Sequence, residues 1–296
     1  MNDHTDKSFM KGYPSRKIEK MYSSKVRIGN WFEELELRKE KTELYIQKRE
    51  NKELVVQKIR ELFHNVCRET RLSRNEDYIK FGNKIQLFAP DMQSSRPNCE
   101  NINYGVVVAG TVPQDAIGKI SRFGNRSPVV CYPKSTPCTR NTFTIKSADY
   151  QNRDGNNLLF GQEFILQLTD SPGEDLYLRS PTPLVDDTRG PRQHNRILLS
   201  NIKDCYSIWK VLCWDNKMRF ETEGSPFPSS TRVVITHMMT GECLAVEGSD
   251  WYTSIFGNEC GISVHTYRDI FKRETAECLW MFITEEIPRC IEERCE

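Results

Sequence analysis

Phe81-Gly82-Asn83-Lys84-Ile85-Gln86-Leu87 reads as the opening of a β-strand, and the chain repeats it. Phe160-Gly161-Gln162-Glu163-Phe164-Ile165-Leu166 has the same form, and Ser229-Ser230-Thr231-Arg232-Val233-Val234-Ile235 follows it more loosely. Each opening is answered downstream by a strand with an aromatic at its centre: Asn141-Thr142-Phe143-Thr144-Ile145, Ser207-Ile208-Trp209-Lys210-Val211 and Leu279-Trp280-Met281-Phe282-Ile283. Matching positions lie roughly 65 to 80 residues apart, longer than most solenoid periods.

Alternation and turn residues fill in the rest of each copy. The first predicts strands at Asn83–Phe88, Tyr104–Ala109, Pro128–Tyr132 and Asn141–Lys146. The second predicts Gln162–Leu168, Asp175–Arg179, Arg196–Ser200 and Ser207–Leu212, and the third Arg232–His237, Cys243–Glu247, Ile262–Tyr267 and Leu279–Thr284. Pro90–Asn103 and Pro113–Ser127 read as surface loops. Three four-strand units around one core predict a mainly β chain, a β-trefoil-like pseudo-threefold barrel of six strands closed by three hairpins. Closure removes sheet edges, so short strands can be stable together. Phe143, Trp209 and Trp280 become equivalent core aromatics. The third opening lacks the glycine of the first two, which leaves a two-domain β-rich arrangement as the alternative.

Residues 1–25 read as an extended basic tail and 26–72 as an N-terminal helical arm; the trefoil-like domain takes 76–284 and a charged tail 285–296. Asn30 with Glu33 three residues on fits a helix start, and Glu33, Glu34 and Glu36 suit the positive end of the helix dipole. Val55, Ile59, Leu62, Phe63 and Val66 form a stripe able to pack on the body. The spacing predicts one long helix to about Arg68, or two with a break near Asn51. Residues 1–75 carry 18 Lys+Arg against 12 Asp+Glu, a net of +6, on a chain whose total is +1. A basic arm on a mildly acidic body can dock on an acidic partner, and an ordinary solvated helix face explains the charge equally well.

The overall charge argues against a nucleic-acid binder that relies on phosphate attraction. Mean hydropathy is −0.62, and no stretch is apolar enough to span a bilayer. The start, Met1-Asn2-Asp3-His4-Thr5-Asp6-Lys7, lacks the apolar core of a secretion signal, which points to the cytosol and to reduced cysteines. No phosphate loop and no Cys-x-x-Cys pair is present among the 11 cysteines, so neither a cofactor nor a metal is expected. Cys243 and His237 can be drawn as a nucleophilic pair. Five histidines and many cysteines produce such pairs by chance, and a satisfied strand histidine beside a small buried thiol is the favoured reading. Sugar-binding trefoils carry Gln-x-Trp at their closing strands, and the Gln is missing from all three copies here. A soluble ligand- or carbohydrate-binding trefoil is therefore the second reading. Trp251-Tyr252, beside a turn-like Gly248-Ser249-Asp250, are aromatics that either anchor a partner or cap the barrel.

Val26-Arg27-Ile28-Gly29-Asn30-Trp31, followed by an acidic helix, resembles the opening of the cilia- and flagella-associated protein 161 family. The similarity continues in the same order through Asp77-Tyr78-Ile79-Lys80-Phe81-Gly82-Asn83-Lys84, Arg140-Asn141-Thr142-Phe143, Phe160-Gly161-Gln162-Glu163-Phe164 and His265-Thr266-Tyr267, and covers residues 26 to about 284. The repeat unit also resembles the MIR-type trefoil module. The resemblance implies a structural microtubule inner protein of motile cilia. Such a protein sits in the lumen of the axonemal doublet, in the A-tubule, bound to tubulin and to neighbouring inner proteins, with no enzymatic activity. The residues expected to hold the partner are Arg27, Asn30, Trp31, Trp251 and Tyr252. The tail before Val26, the Cys- and Pro-rich loops of the first copy and the short C-terminus depart from the family pattern.

Overall fold

The computed structural model describes residues 31–74, 77–93, 104–133, 135–149, 151, 153–182 and 190–285. The chain divides into two units, Met1–Asn51 and Lys52–Glu296. The described part of the first is helix α1, Trp31–Glu50, which buries none of its residues. The expected cap at Asn30 lies outside the described residues.

The break expected near Asn51 is present. Lys52 takes a left-handed φ of 58°, and helix α2 runs Val55–Val66. The Gln57 side chain accepts from the Leu54 N–H at 3.3 Å, half of a capping box. Of the predicted stripe, Leu62 and Val66 are buried and Phe63 packs on the core, while Val55 stays 57% exposed at the helix start.

Thirteen strands follow among the described residues of the second unit. They are β1 Lys84–Gln93, β2 Tyr104–Gly110, β3 Ser127–Tyr132, β4 Phe143–Ser147, β5 Glu163–Leu168, β6 Tyr177–Arg179 and β7 Asn195–Arg196. After these come β8 Leu198–Ser200, β9 Ile208–Cys213, β10 Val233–His237, β11 Leu244–Ser254, β12 Gly257–Val264 and β13 Met281–Ile283. Every predicted strand has a counterpart. A four-residue helix, α3, spans Arg219–Thr222.

The first and last strands of each copy close a ring. β1 pairs β4, β4 pairs β5, β5 pairs β9 and β9 pairs β10. A bridge from Val233 to Trp280 carries the ring to β13, which returns to β1 at Gln86↔Ile283. The inner pairs, β2–β3, β6–β8 and β11–β12, are the three hairpins. They meet through β3, which pairs β8 at Ser127↔Leu199 and β12 at Cys131↔Cys260. The chain is a β-trefoil, and the two-domain β alternative does not hold.

The pseudo-threefold axis is written in backbone hydrogen bonds. Ile79 N–H donates to Phe227 O at 2.9 Å, Phe227 N–H to Leu158 O at 2.8 Å, and Leu158 N–H to Ile79 O at 2.8 Å. This cycle links the three chain entries, and all three side chains are buried. Each entry then turns through a left-handed residue: Gly82 at φ 87°, Gly161 at 79° and Ser230 at 57°. The missing third glycine is thus a substitution within the same turn.

Phe143, Trp209 and Trp280 are fully buried, as expected. Trp209 Nε1 donates to Leu178 O at 2.9 Å and Trp280 Nε1 to Leu244 O at 2.8 Å. These indoles tie closing strands to the second strands of their own copies. Two expectations about loops need correction. β1 continues to Gln93, into the stretch read as loop: its ladder with β2 shifts register after Ala89↔Val106 and resumes at Gln93↔Tyr104. The Gly248–Asp250 stretch is a register shift inside β11, not a turn that ends it: Trp251↔Cys260 and Tyr252↔Glu259 resume the ladder.

Candidate interaction surface

His237 and Cys243 do not form a dyad. His237 is buried, with Nδ1 3.1 Å from Thr240 Oγ1 and Nε2 3.0 Å from Tyr206 O, so both ring nitrogens are used within the fold. Burial lowers its pKa. The Cys243 thiol instead meets Cys278, and this hydrogen bond together with burial pushes the Cys278 pKa well up.

Two polar clusters are set into the hairpin cap. In one, the buried Glu247 accepts from Ser263 Oγ and from Tyr267 Oη at 2.7 Å, and lies 2.9 Å from His194 Nδ1. The His194 ring stacks on His265 at 3.9 Å. Burial alone would raise the Glu247 pKa, but the bonds from Ser263, His194 and Tyr267 outweigh it and hold the carboxyl low. Burial and Glu247 together push the Tyr267 phenol up to about 12. In the other, Arg140 is 1% exposed and Glu259 0%. Arg140 Nη2 donates to Glu259 Oε1, its Nε donates to Gly110 O at 3.0 Å, and Thr111 Oγ1 donates to Glu259 Oε2 at 2.8 Å. The guanidinium lies over the rings of Phe256 at 4.1 Å and Tyr132 at 4.5 Å. Both carboxylates are held by partners from segments far apart in the chain, which fits fixing the hairpins better than chemistry at an open site. Among the described residues no group of three or more His, Cys, Asp and Glu is placed to hold a metal.

The feature that internal packing does not explain is a set of large apolar side chains held in solvent. Ile270 is 96% exposed, Phe271 74% and Phe220 89%. Ile270-Phe271 form the tip of a tight turn. Lys272 N–H donates to Asp269 O at 3.0 Å, Asp269 N–H to Arg273 O at 2.8 Å, and Arg273 N–H to Asp269 Oδ1 at 2.9 Å. The bond from the Arg273 backbone, aided by its charge, lowers the Asp269 pKa. Phe220 sits on α3, where Arg219 clamps Glu274 with two bonds of 3.2 and 3.0 Å and donates from Nε to Cys213 O at 2.9 Å. That clamp joins the α3 segment to the 268–274 turn. Between residues 214–217, which precede α3, and the turn lies a cleft of about 670 Å³, walled by Trp214 and Phe271 and flanked by Asp215, Lys217 and Arg273. Trp214 rests on a buried cluster containing Val234 and Cys243, so the cleft wall is anchored. Turn tips favour small polar residues. A rigid turn presenting Ile and Phe fits a surface meant to be covered.

These residues are not among those singled out from the sequence, although a signal existed: Ile270-Phe271 stands between Arg268-Asp269 and Lys272-Arg273 with no strand pattern around it. Of the residues that were, Arg27 and Asn30 lie outside the described residues. Trp31 opens α1 and is 84% exposed. Trp251 is half-buried against the main core, its Nε1 bonded to Gly248 O at 2.9 Å. Tyr252, its neighbour on β11, keeps about a third of its surface in solvent. α1 adds Phe32, Leu35, Tyr45 and Ile46 to the exposed apolar residues.

A family model described as the cilia- and flagella-associated protein 161-like domain matches residues 58–189 and 188–285. Cilia- and flagella-associated protein 161 of Bos taurus is 31% identical over 276 residues, 90% of this chain and 83% of that protein. The Danio rerio protein of that name is 28% identical over 274 residues, 89% of this chain and 88% of that one. Among solved structures, the SDF2-like protein from Arabidopsis thaliana aligns with a TM-score of 0.47 and 15% identity, over 70% of this chain and 94% of that one. Two matched segments that together run from residue 58 to 285, and a relative above 30% identity over nearly the whole chain, place this protein in the cilia- and flagella-associated protein 161 family.

Proposed function

We propose that this protein is a structural microtubule inner protein of motile cilia, which binds tubulin on the luminal face of the axonemal doublet and stabilises it. The observation that carries this reading is family membership along nearly the whole chain, in a family named for cilia and flagella. The surface supports it. A closed barrel with buried, mutually bonded polar clusters and stiffly held apolar knobs suits a body that occupies a place in a lattice. Neighbouring inner proteins are the proposed partners for whatever part of that surface tubulin does not cover.

Magnitudes say how many contacts such a body needs. Covering Phe220, Ile270 and Phe271 contributes about 4.5–9 kcal/mol, at roughly 1.5–3 kcal/mol per large apolar side chain. Immobilising a protein costs on the order of 4–15 kcal/mol. One face is therefore marginal, and a second attachment through α1, with Trp31 and Phe32 at its start, makes binding firm by raising the effective concentration of the first.

The test is fractionation of motile cilia that express the tagged protein. It is expected to stay with doublets through detergent and moderate salt. Release with the soluble matrix would sink the reading. Phe220→Ser with Phe271→Ser is expected to leave folding intact, since both side chains are exposed, and to shift protein from the doublet to the soluble fraction.

A further inference from the structure

Six of the eight described cysteines fall into three neighbouring pairs that sequence spacing does not suggest. Cys131 faces Cys260 across β3 and β12, and Cys243 meets Cys278; all four are buried. The third pair differs. Cys67 is exposed and Cys138 half-buried.

Backbone hydrogen bonds fix the third pair. Arg140 N–H donates to Val66 O at 2.9 Å, Thr139 N–H to Arg68 O at 2.9 Å, and Thr70 N–H to Pro137 O at 3.3 Å. Glu69 lies opposite Cys138 in an antiparallel bridge. Cys67, at φ −101° and ψ 14°, sits between Val66 and Arg68, whose carbonyls accept from Arg140 and Thr139, and so lies beside the segment that carries Cys138. Chain segments joined by such bonds run about 5 Å apart, within the roughly 7 Å between Cα atoms that a disulfide spans. Both ends are held. Cys67 caps α2 through its N–H to Phe63 O at 2.9 Å. Asn141 braces the other segment, accepting from Cys138 N–H at 2.8 Å and donating to Thr136 O at 3.0 Å.

We propose that Cys67 and Cys138 are a thiol pair that a small disulfide such as oxidised glutathione converts into an intramolecular disulfide, fastening the end of α2 to the segment entering β4. The Cys67 thiolate attacks one glutathione sulfur, and the other half leaves as thiolate with the bonding pair. The Cys138 thiolate then attacks the Cys67 sulfur and expels the second glutathione. The two protein thiols lose two electrons, one oxidised glutathione becomes two reduced molecules, and the two protein protons end on them. Burial pushes both thiols above their ordinary range. Cys138 also raises the Cys67 thiol through its charge, and Arg140 partly offsets the rise at both. The pair is therefore slow at neutral pH and quickens as pH rises through the ordinary thiol range.

The experiment treats the full chain with oxidised glutathione at mildly alkaline pH and maps modified peptides by mass spectrometry. Cys205, exposed and outside the three pairs, is the internal control that should keep glutathione as a mixed disulfide. The expected result is a linked Cys67–Cys138 peptide exceeding glutathionylated Cys67 by at least about tenfold, because the second attack is intramolecular and runs at a high effective concentration. Cys138→Ser should leave Cys67 holding glutathione, and cross-linked wild-type protein should unfold several degrees higher. A ratio below tenfold, or an unmodified Cys67 while Cys205 reacts, overturns the proposal. Neither result bears on doublet binding.

Discussion

Removing one member of the Arg140–Glu259 pair should cost far more than removing both. The pair lies in the hairpin cap, at 1% and 0% exposure, and joins the first copy to the third across 119 residues of sequence. Glu259→Leu leaves a guanidinium buried between Phe256 and Tyr132, still bonded to Gly110 O but with no counter-charge. Breaking such a pair from one side costs about 3–5 kcal/mol. Arg140→Met strands the carboxylate with only Thr111 beside it, at a similar cost. The double variant replaces two desolvated charges by apolar volume and should lie within about 1–2 kcal/mol of the parent, because good hydrophobic replacement of a buried pair is often neutral. Arg140 Nη1 is buried without a hydrogen-bond partner, so the pair already carries an unmet donor that the double variant removes. The assay is urea unfolding of the four proteins with a shared slope, which yields a coupling energy of about 4 kcal/mol or more. Additive single effects, or single variants that each cost under about 1 kcal/mol, would refute the reasoning.

Three further outcomes follow from the same fold. Ser230→Gly should stabilise by about 0.5–1 kcal/mol in urea unfolding, because Ser230 sits at φ 57° with a buried, unbonded hydroxyl; Gly82→Ala and Gly161→Ala at the matching turns should destabilise. Trp209→Phe and Trp280→Phe, which copy the natural Phe143, should each cost about 1–3 kcal/mol in thermal or urea unfolding, since each leaves a buried carbonyl, Leu178 O or Leu244 O, without its donor. Burial depresses the folded pKa of His237 below its ordinary 6.5, so below that pH the unfolded chain takes up a proton that the folded chain refuses, and stability falls. Urea midpoints at pH 7 and about 5.5 should differ in the parent and differ less in His237→Gln. The Glu247 contribution is lost only lower, as pH falls below about 4.5 through its depressed folded value, and does not confuse that window.

The barrel was legible in the chain because its signal is local and repeated. Alternation within five or six residues marks a strand, and three aligned openings and closings say that those strands share one interior. Even the weak third opening was informative: its Ser230 adopts the backbone turn that Gly82 and Gly161 mark openly. The extent of β11 was hidden, since Gly248-Ser249-Asp250 has the composition of a turn and only the partner strand β12 shows that the ladder resumes beyond it.

The sequence by itself determined the strands, their threefold order, the core aromatics and the family, all of which rest on short-range periodicity or on motifs kept in line. Only the tertiary structure decided what faces what. That Arg140 meets Glu259, that Cys67 lies beside Cys138, and that Trp214 shares a cleft with Phe271 depends on which turns the hairpins bring together. The physical reason is that a contact between residues far apart in the chain is made by the closed fold as a whole, and no residue type at either end announces its partner.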